Sequence, residues 1–593
     1  MKSDSQKMVV DAVTIEIVGN LLLSIAEETG VIIIKSAYST NIKERRDIST
    51  AIIDPDGNMV AQAEHMPVHL GSLLGVVKEI YKKFPKGTVK PGEMFVVNDP
   101  YNGGGNHLPD IVVAAPAFSG AKIIGWVANV AHHSDIGGKV AGSTSGDSVS
   151  IFQEGIKIPI VKICKNNEID HDILDILLAN TRVPHERYGD FTAQVAANKI
   201  GICRLEEAYC KYGDCLIDCM KELQNYAERR LRSAIAAMPD GEYTFTDYMD
   251  NGGAAYPDPL QITVKVTIKD DFMDFDFTGT VNQIEAPINV PFSSLLATVF
   301  YSLKALAGPD IPSNAGIYKA FRVNAPQGTL INPVNPAPVG LMMDTCQRLP
   351  DVIFGALAPV TPERIVAGCN GACTTAIFIG NDSSNKDNYF IYHDVVAGGS
   401  GASRHADGQS GVQVHMTNSS NMPVEALEVE FPIITIKKYK LRRDSGGAGR
   451  FRGGLGIERE FEIMADNIRF NGYGDRQKFQ PWGLEGGCNG AAGAFFHRGS
   501  DGRETKLPNK CTNYPVKKGD TITVLSPGAG GYGDPVQRPA EKVLEDVTEE
   551  KVSLKNAREQ YKVAISADDH KNYRIDAALT AKLRQIKPKG DRA

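Results

Sequence analysis

The stretch MFVVNDPYNGGGNHLPDIVVAA, residues 94–115, decides the reading of the fold, together with IIGWVANVAHHSDIGG, residues 123–138. Met94 to Asn98 and Asp110 to Ala115 are short apolar runs bounded by Gly, Asn and Pro, which is a strand–loop–strand pattern. Ile123 to Ala131 is a further strand, and it runs into the pair His132-His133. Each histidine-bearing loop therefore abuts a strand. If those strands are neighbours, both loops sit at one end of a sheet, a common place for a site.

Upstream, Val13 to Ser36 reads as a helix, with Ile15, Val18, Leu22, Ile25 and Ala26 recurring on one face. Thr50 to Asp54 and Asn58 to Ala63 read as a hairpin about the turn Pro55-Asp56-Gly57. Leu70 to Lys83 reads as one helix. Downstream, Thr192 to Met238 predicts two long helices broken near Tyr212-Gly213-Asp214. Beyond Pro239-Asp240-Gly241, Tyr243 to Tyr248 and Ile262 to Ile268 alternate as half-exposed antiparallel strands, and a helix follows around Ser293 to Ala307. From Ile433 to Pro535 strand-like runs alternate with Gly-rich turns. From Pro539 the chain is charged and helical, with little apolar surface.

The expected fold class is mixed α+β and multidomain. It comprises an N-terminal metal-binding α/β domain (residues 1–238), a central mixed α/β domain (239–432), a β-rich, Gly-rich domain (433–536) and a C-terminal helical tail (537–593). A chain of 593 residues is too long for one core. Its 42% hydrophobic and 23% charged content is that of an ordinary globular protein. The net charge of −7 is spread without a basic stripe, which argues against a nucleic-acid partner. The N-terminus lacks a signal-peptide pattern, and no stretch reads as approaching the roughly 18 apolar residues of a membrane span. The expectation is a cytoplasmic protein with no membrane partner. Cys203, Cys210, Cys215 and Cys219 cluster in a helical region, and Cys369 and Cys373 are four apart. Neither spacing fits a zinc finger, and all read as reduced thiols.

His107 and Asp110 form an H-x-x-D pair on a loop whose glycines and Pro109 oppose a helix. Imidazole plus carboxylate suits Zn²⁺, Mn²⁺ or Fe²⁺ better than Mg²⁺ or Ca²⁺. His132 would be a third ligand, and Asp47, just before a strand, a fourth. Such a set leaves a coordination position open. His133 would point the other way along its strand. His65 and His69 flank Pro67, which spoils a helical H-x-x-x-H; they read as structural or substrate-facing. Histidines among Gly and Asn also serve simply as loop residues, and H-x-x-D alone is common.

No Walker loop and no G-x-S-x-G elbow occur. The one G-x-G-x-x-G, Gly528 to Gly533, is followed by Asp534-Pro535, which keeps a helix from opening there; it reads as a glycine loop packed on a neighbour. Arg404, His405 and Asp407 in a Gly-rich loop could grip a polar substrate or a phosphate. The Asp444–Gly456 run reads as tight turns between strands.

These residues resemble the hydantoinase B family. The matching stretches are Glu44 to Ser49, His65 to Gly71, Asn98 to Tyr101, Gly105 to Asp110, Pro423 to Glu425, Asp444 to Gly449 with Arg452 to Gly454, and Gly530 to Pro535. The resemblance implies one half of an ATP-dependent enzyme. A hydantoinase A-like partner binds ATP and Mg²⁺ and phosphorylates the substrate oxygen, while this chain holds the metal. The pair is expected as a heterotetramer or larger. The resemblance also implies metal ligands at Asp47, His107, Asp110 and His132, with Zn or Mn foremost and Fe as an alternative. The preferred reading is hydrolysis of a cyclic amide, such as a hydantoin, oxoproline or lactam. Here Asp135 or His133 takes a proton, and His69, Arg404 and Asp407 contact the small-molecule substrate. The alternatives are an ATP-dependent ketone carboxylase of the acetone or acetophenone type, and a non-catalytic scaffold subunit.

Overall fold

A computed structural model describes residues 10–382, 385–570 and 572–585. By its contacts the chain divides into two compact units that interleave along the sequence. The first comprises the residues up to Ala356 with Ile377–Asp394 and His415–Pro423. The second comprises Leu357–Ala376, Val395–Val414 and the chain from Val424 onward.

The first unit is built on a seven-stranded antiparallel sheet. Its strands are β1 (Ile48–Ile53), β2 (Met59–Gln62), β3 (Met94–Val97), β4 (Asp110–Ser119), β5 (Lys122–His132), β6 (Val161–Lys165) and β7 (Glu168–Ile169), in the spatial order β2-β1-β5-β4-β3-β6-β7. β4 and β5 are buried along almost their whole length, which explains why they read as continuous apolar runs rather than as alternating ones. Helix α1 (Ala12–Ser36) packs on β1, and α2 (Pro184–Tyr212) packs on β4 and β5. Helix α3 (Cys215–Ile235) joins them. Val18, Leu22, Ile25, Ile52, Val60, Val127, Leu205, Leu216 and Met220 share one buried cluster. The helix–sheet seam also holds amides that satisfy one another: Asn129 Nδ2 donates to Asn198 Oδ1 (2.8 Å), and Gln194 Nε2 donates to Ile111 O (2.8 Å).

A second sheet of this unit orders β11-β10-β9-β8, from β8 (Gly241–Met249), β9 (Leu260–Lys269), β10 (Phe272–Asp276) and β11 (Phe321–Asn324). β9 alternates buried and half-buried positions, as its sequence pattern predicts. Helix α4 (Phe292–Ala307) and strand β12 (Asn385–Val395) complete the elements needed here.

Three expectations change. The helix expected over Leu70 to Lys83 is two, Leu70–Leu73 and Val76–Lys83, because Gly75 takes φ = +79° between them. Helix α1 is, by length and composition, apolar enough to cross a membrane, contrary to the reading that no stretch approaches one; in this fold one of its faces is buried as core. The segment after Pro539 is more than a charged helical tail. Helices Ala540–Thr548 and Leu554–Glu559, a hairpin of Ile565–Ala567 with Tyr573–Ile575, and helix Ala577–Gln585 surround a core that includes Val543, Val547, Tyr561 and Val563.

The second unit carries a five-stranded antiparallel sheet in the order β13-β14-β17-β15-β16. Its strands are β13 (Ile434–Leu441), β14 (Ile457–Ile463), β15 (Ala494–Arg498), β16 (Glu504–Leu507) and β17 (Thr521–Leu525). Its glycine loops interlock backbone against backbone: Gly530 N donates to Gly368 O (2.8 Å) and Ala402 N to Gly530 O (3.0 Å). A side chain has no room in such a contact. A Cβ on Gly454 would stand 1.9 Å from Gln409 O, and main chain cannot rotate away. Gly454→Ala is expected to destabilise the chain by at least about 1–3 kcal/mol, read as a lowered denaturant midpoint. An unchanged midpoint would show that these loops are loosely packed. All ten cysteines are free.

Candidate metal centre

The pairing register assembles this centre. Asp110 is the cross-strand partner of His132, and Ile48 pairs with Ala131, so the ends of β1, β5 and β4 lie side by side. His132 N donates to Asp47 O at 3.1 Å, which sets Asp47 beside the same edge. His107 comes from the loop before β4. Gly105 makes that loop possible with φ = +74°, where a Cβ would meet Asn98 O and Asp110 O at 2.8 Å. His69 ends a short 3₁₀ helix, Pro67–His69, and its Nδ1 lies 3.2 Å from Ser49 Oγ on β1.

Asp47, His69, His107, Asp110 and His132 thus converge, all of them buried. Asp110 Oδ1 lies 3.2 Å from His107 Nε2 and 3.0 Å from His132 Nδ1, and those two nitrogens are 3.2 Å apart. His69 Nε2 is 3.6 Å from both Asp47 Oδ1 and Asp110 Oδ2. The surrounding contacts aim these groups. Arg45 pairs with Asp47 Oδ2 at 2.7 Å, Asn106 Nδ2 donates to Asp110 Oδ2 at 3.2 Å, and His107 Nδ1 faces Gly340 O at 3.1 Å.

The charges fit a cation. Burial alone draws the His107 and His69 imidazoles down, but the Asp110 carboxylate more than offsets it, and both sit above the ordinary histidine value. Burial likewise pushes Asp110 up, but His107 and His69 outweigh it and hold its carboxyl well below the usual range. Burial keeps His132 below its ordinary value. Asp47 Oδ1 and His132 Nε2 are buried with no hydrogen-bond partner among the described residues. A buried carboxylate oxygen without a donor is costly unless something positive meets it. Three imidazoles and two carboxylates form a nitrogen–oxygen donor set suited to Zn²⁺, Mn²⁺ or Fe²⁺.

Of the other expected residues, only His69 lies in the cluster. Asp135 takes four donors, from Gly142 N (3.1 Å), Thr181 Oγ1 (3.2 Å), Arg182 N (2.8 Å) and Arg182 Nη1 (2.8 Å), so its contacts support a structural role and not that of a proton acceptor. His133 Nε2 faces Gln194 Oε1 at 3.0 Å on the helix side of the sheet. Burial and the Arg187 guanidinium hold it down at about 4, which also speaks against a proton acceptor. His69, expected against substrate, joins the donor cluster instead. Arg404 pairs with Glu363, and Asp407 is held bidentately by Arg538 at 2.7 Å, so both serve contacts within the second unit.

Sequence reading missed His393. It lies on β12, buried, its ring edge-on to His132 with centroids 5.5 Å apart, and its Nδ1 has no hydrogen-bond partner among the described residues. Glu154 was also missed. Burial raises its carboxyl to about 7, although hydrogen bonds from Val339 and Gly340 oppose the shift. Neither residue stands in a motif, and each is brought in by tertiary packing alone.

Comparison with known proteins agrees with this architecture. An uncharacterised protein of Methanocaldococcus jannaschii is 39% identical over 97% of this chain and 100% of its own length. The caprolactamase subunit beta of Pseudomonas jessenii is 31% identical over 96% of this chain and 98% of its own. The crystal structure of the ATP-dependent caprolactamase from that species superposes with a TM-score of 0.89 at 29% identity, covering 98% of this chain and 100% of that one. A nucleotide-free acetone carboxylase gives a TM-score of 0.90 at 19% identity, over 97% of this chain and 82% of that one, a likeness of fold alone. The model of the family described as hydantoinase B/oxoprolinase matches residues 11–535, and the chain belongs to that family.

Proposed function

We propose that this chain is the cation-holding subunit of an ATP-dependent cyclic-amide hydrolase, acting on substrate that a hydantoinase A-like partner phosphorylates. The observation that carries the reading is the buried Asp47–His69–His107–Asp110–His132 cluster with its donor-less carboxylate oxygen. Asp47, His107, Asp110 and His132 would hold the ion, with His69 beside them. A divalent cation there supplies Lewis-acid activation of water or of a polarised carbonyl at neutral pH.

The chain's own residues prepare the site. Arg45 fixes one oxygen of Asp47 and leaves the other without a hydrogen-bond donor, 3.6 Å from His69 Nε2. Asn106 orients Asp110, and Gly340 O holds the Nδ1 side of His107 so that Nε2 faces the cluster. Phosphorylation of the amide oxygen on the partner makes the ring carbon electrophilic. One water adds at that carbon and the ring C–N bond breaks as the ring nitrogen takes up the water's protons, leaving an acyl phosphate; a second water hydrolyses this to the free carboxylate and inorganic phosphate.

Hydrolysis is favoured over carboxylation by the sequence relatives: the caprolactamase subunit beta is 31% identical over 96% of this chain, whereas the likeness to the acetone carboxylase is one of fold. The word "subunit" in the relative's name supports a partner for this chain too. Dependence on ATP would place the reaction in the cytoplasm. The test uses the purified complex with hydantoins, lactams and ketones, and with labelled bicarbonate. Ring opening of a cyclic amide is expected; incorporation of label into a ketone would overturn the hydrolase reading. This chain alone should show almost no ATP turnover, and robust turnover without the partner would contradict the division of labour.

A further inference from the structure

Glu154 follows the 3₁₀ turn Ile151–Gln153 and is 2% exposed. Its two carboxylate oxygens are spent on two consecutive backbone donors: Oε2 accepts from Val339 N (3.0 Å) and Oε1 from Gly340 N (2.8 Å). The carbonyl of that same Gly340 faces His107 Nδ1 at 3.1 Å. The preceding loop is pinned through its carbonyls: Pro336 O by Ile151 N (3.0 Å), Ala337 O by the Tyr101 hydroxyl (2.7 Å) and Pro338 O by Asn289 Nδ2 (2.9 Å). The 339 and 340 amide N–H groups, by contrast, both depend on one side chain. A Cβ on Gly340 would stand 2.8 Å from Glu154 Oε1, so any side chain there would shift the carboxylate from its place on the two amides.

We propose that Glu154 is the positioning residue of the cation site: by locking the Gly340 carbonyl it commits the His107 proton to Nδ1 and leaves the Nε2 lone pair directed at the Asp110–His132 cluster. The inference rests on the cation-holding reading above. The physical argument is tautomer control. In a neutral imidazole the nitrogen that binds an ion must be the unprotonated one, and the hydrogen bond at the other nitrogen decides which that is. A carboxylate suits the clamp because two N–H groups need two acceptors. Glutamine offers one acceptor and sets an N–H against the other donor.

The test is Glu154→Gln in the full chain, measured by Co²⁺ and Zn²⁺ competition against a chelator and by the absorption spectrum of the Co²⁺ form. The expected result is an affinity about 10–100-fold weaker. The cobalt spectrum should be altered, with cation-free melting near that of the parent chain. Gly340→Ala displaces the same clamp and should act in the same direction; it decides the matter if Glu154→Gln does not fold. Parent-like affinity and spectrum in the folded variant would overturn the proposal. So would a weakened affinity with an unchanged spectrum, which marks a general loss of stability. If the parent chain held Co²⁺ no better than His107→Ala, the cation reading and this inference would fall together. A parent chain that binds with Glu154→Gln unaffected would remove the inference alone.

Discussion

His107→Ala is expected to strip the cation from the chain and to lower turnover of the assembled complex by about 10³-fold or more. This corresponds to the several kcal/mol a Lewis acid contributes to a developing charge. The substitution removes the group that faces both Asp110 Oδ1 (3.2 Å) and His132 Nδ1 (3.2 Å). Metal content by emission spectrometry on parent and variant is the direct readout, and equal metal in both would end the reading. The pH dependence has a definite sign. In the cation-free chain His69 and His107 are raised above the ordinary histidine value, chiefly because Asp110 outweighs burial. Their imidazolium–carboxylate pairing therefore stabilises the fold fully below the unfolded-state pKa and is lost as pH rises through the folded-state pKa. A cation competes with those protons. Its affinity should fall as pH drops below the raised values, and the thermal stabilisation it confers should be largest on the alkaline side. A cation affinity independent of pH from 5.5 to 8.5 would contradict protonated partners in the empty cluster.

The second large effect is one of stability. Asp546 sits between two buried guanidiniums: Arg538 Nη2 is at 2.8 Å and Arg452 Nε at 3.3 Å, while Arg538 also grips Asp407 at 2.7 Å. Asp546→Asn keeps the shape and removes the charge. It leaves Arg452 without its carboxylate in a buried setting, a situation that typically costs about 3–5 kcal/mol. The first unfolding transition in urea should move to markedly lower denaturant. Glu545→Gln, on the exposed Lys542–Glu545 pair, is the control and should leave the midpoint in place. Equal behaviour of the two variants would show that the network contributes nothing.

Much of the architecture near the site was legible in the sequence because its signals are local. The apolar runs around Val112 and Val127 announce strands, and Asn106-His107-Leu108-Pro109-Asp110 announces a loop bearing donors. The alternation from Ile262 to Ile268 likewise appears as alternating burial in β9. The break at Gly75 was not legible, since a single glycine within helical periodicity is usually tolerated and only its φ of +79° ends the turn. His69 was placed against substrate because Pro67 breaks the helical spacing to His65. What matters instead is the 3₁₀ turn that points His69 at Asp47 and Asp110. Asp135 looked free, and only the fold shows Arg182 arriving to occupy it. His393 lies far beyond the cluster in sequence, and Glu154, though only 22 residues past His132, reaches His107 through the backbone of residue 340, so no local pattern announces either.

The donors at positions 47, 69, 107, 110 and 132 all leave the ribosome early, yet the carbonyl that orients His107 belongs to residue 340, and the ring packed on His132 to residue 393. A chain that ends at residue 300 carries all five donors, with Arg45 and Asn106 beside them, but lacks the Gly340 carbonyl and the His393 ring. Under the cation-holding proposal, a product truncated there is expected to hold the ion more weakly than the full chain, because His107 and His132 have lost the contacts that orient them.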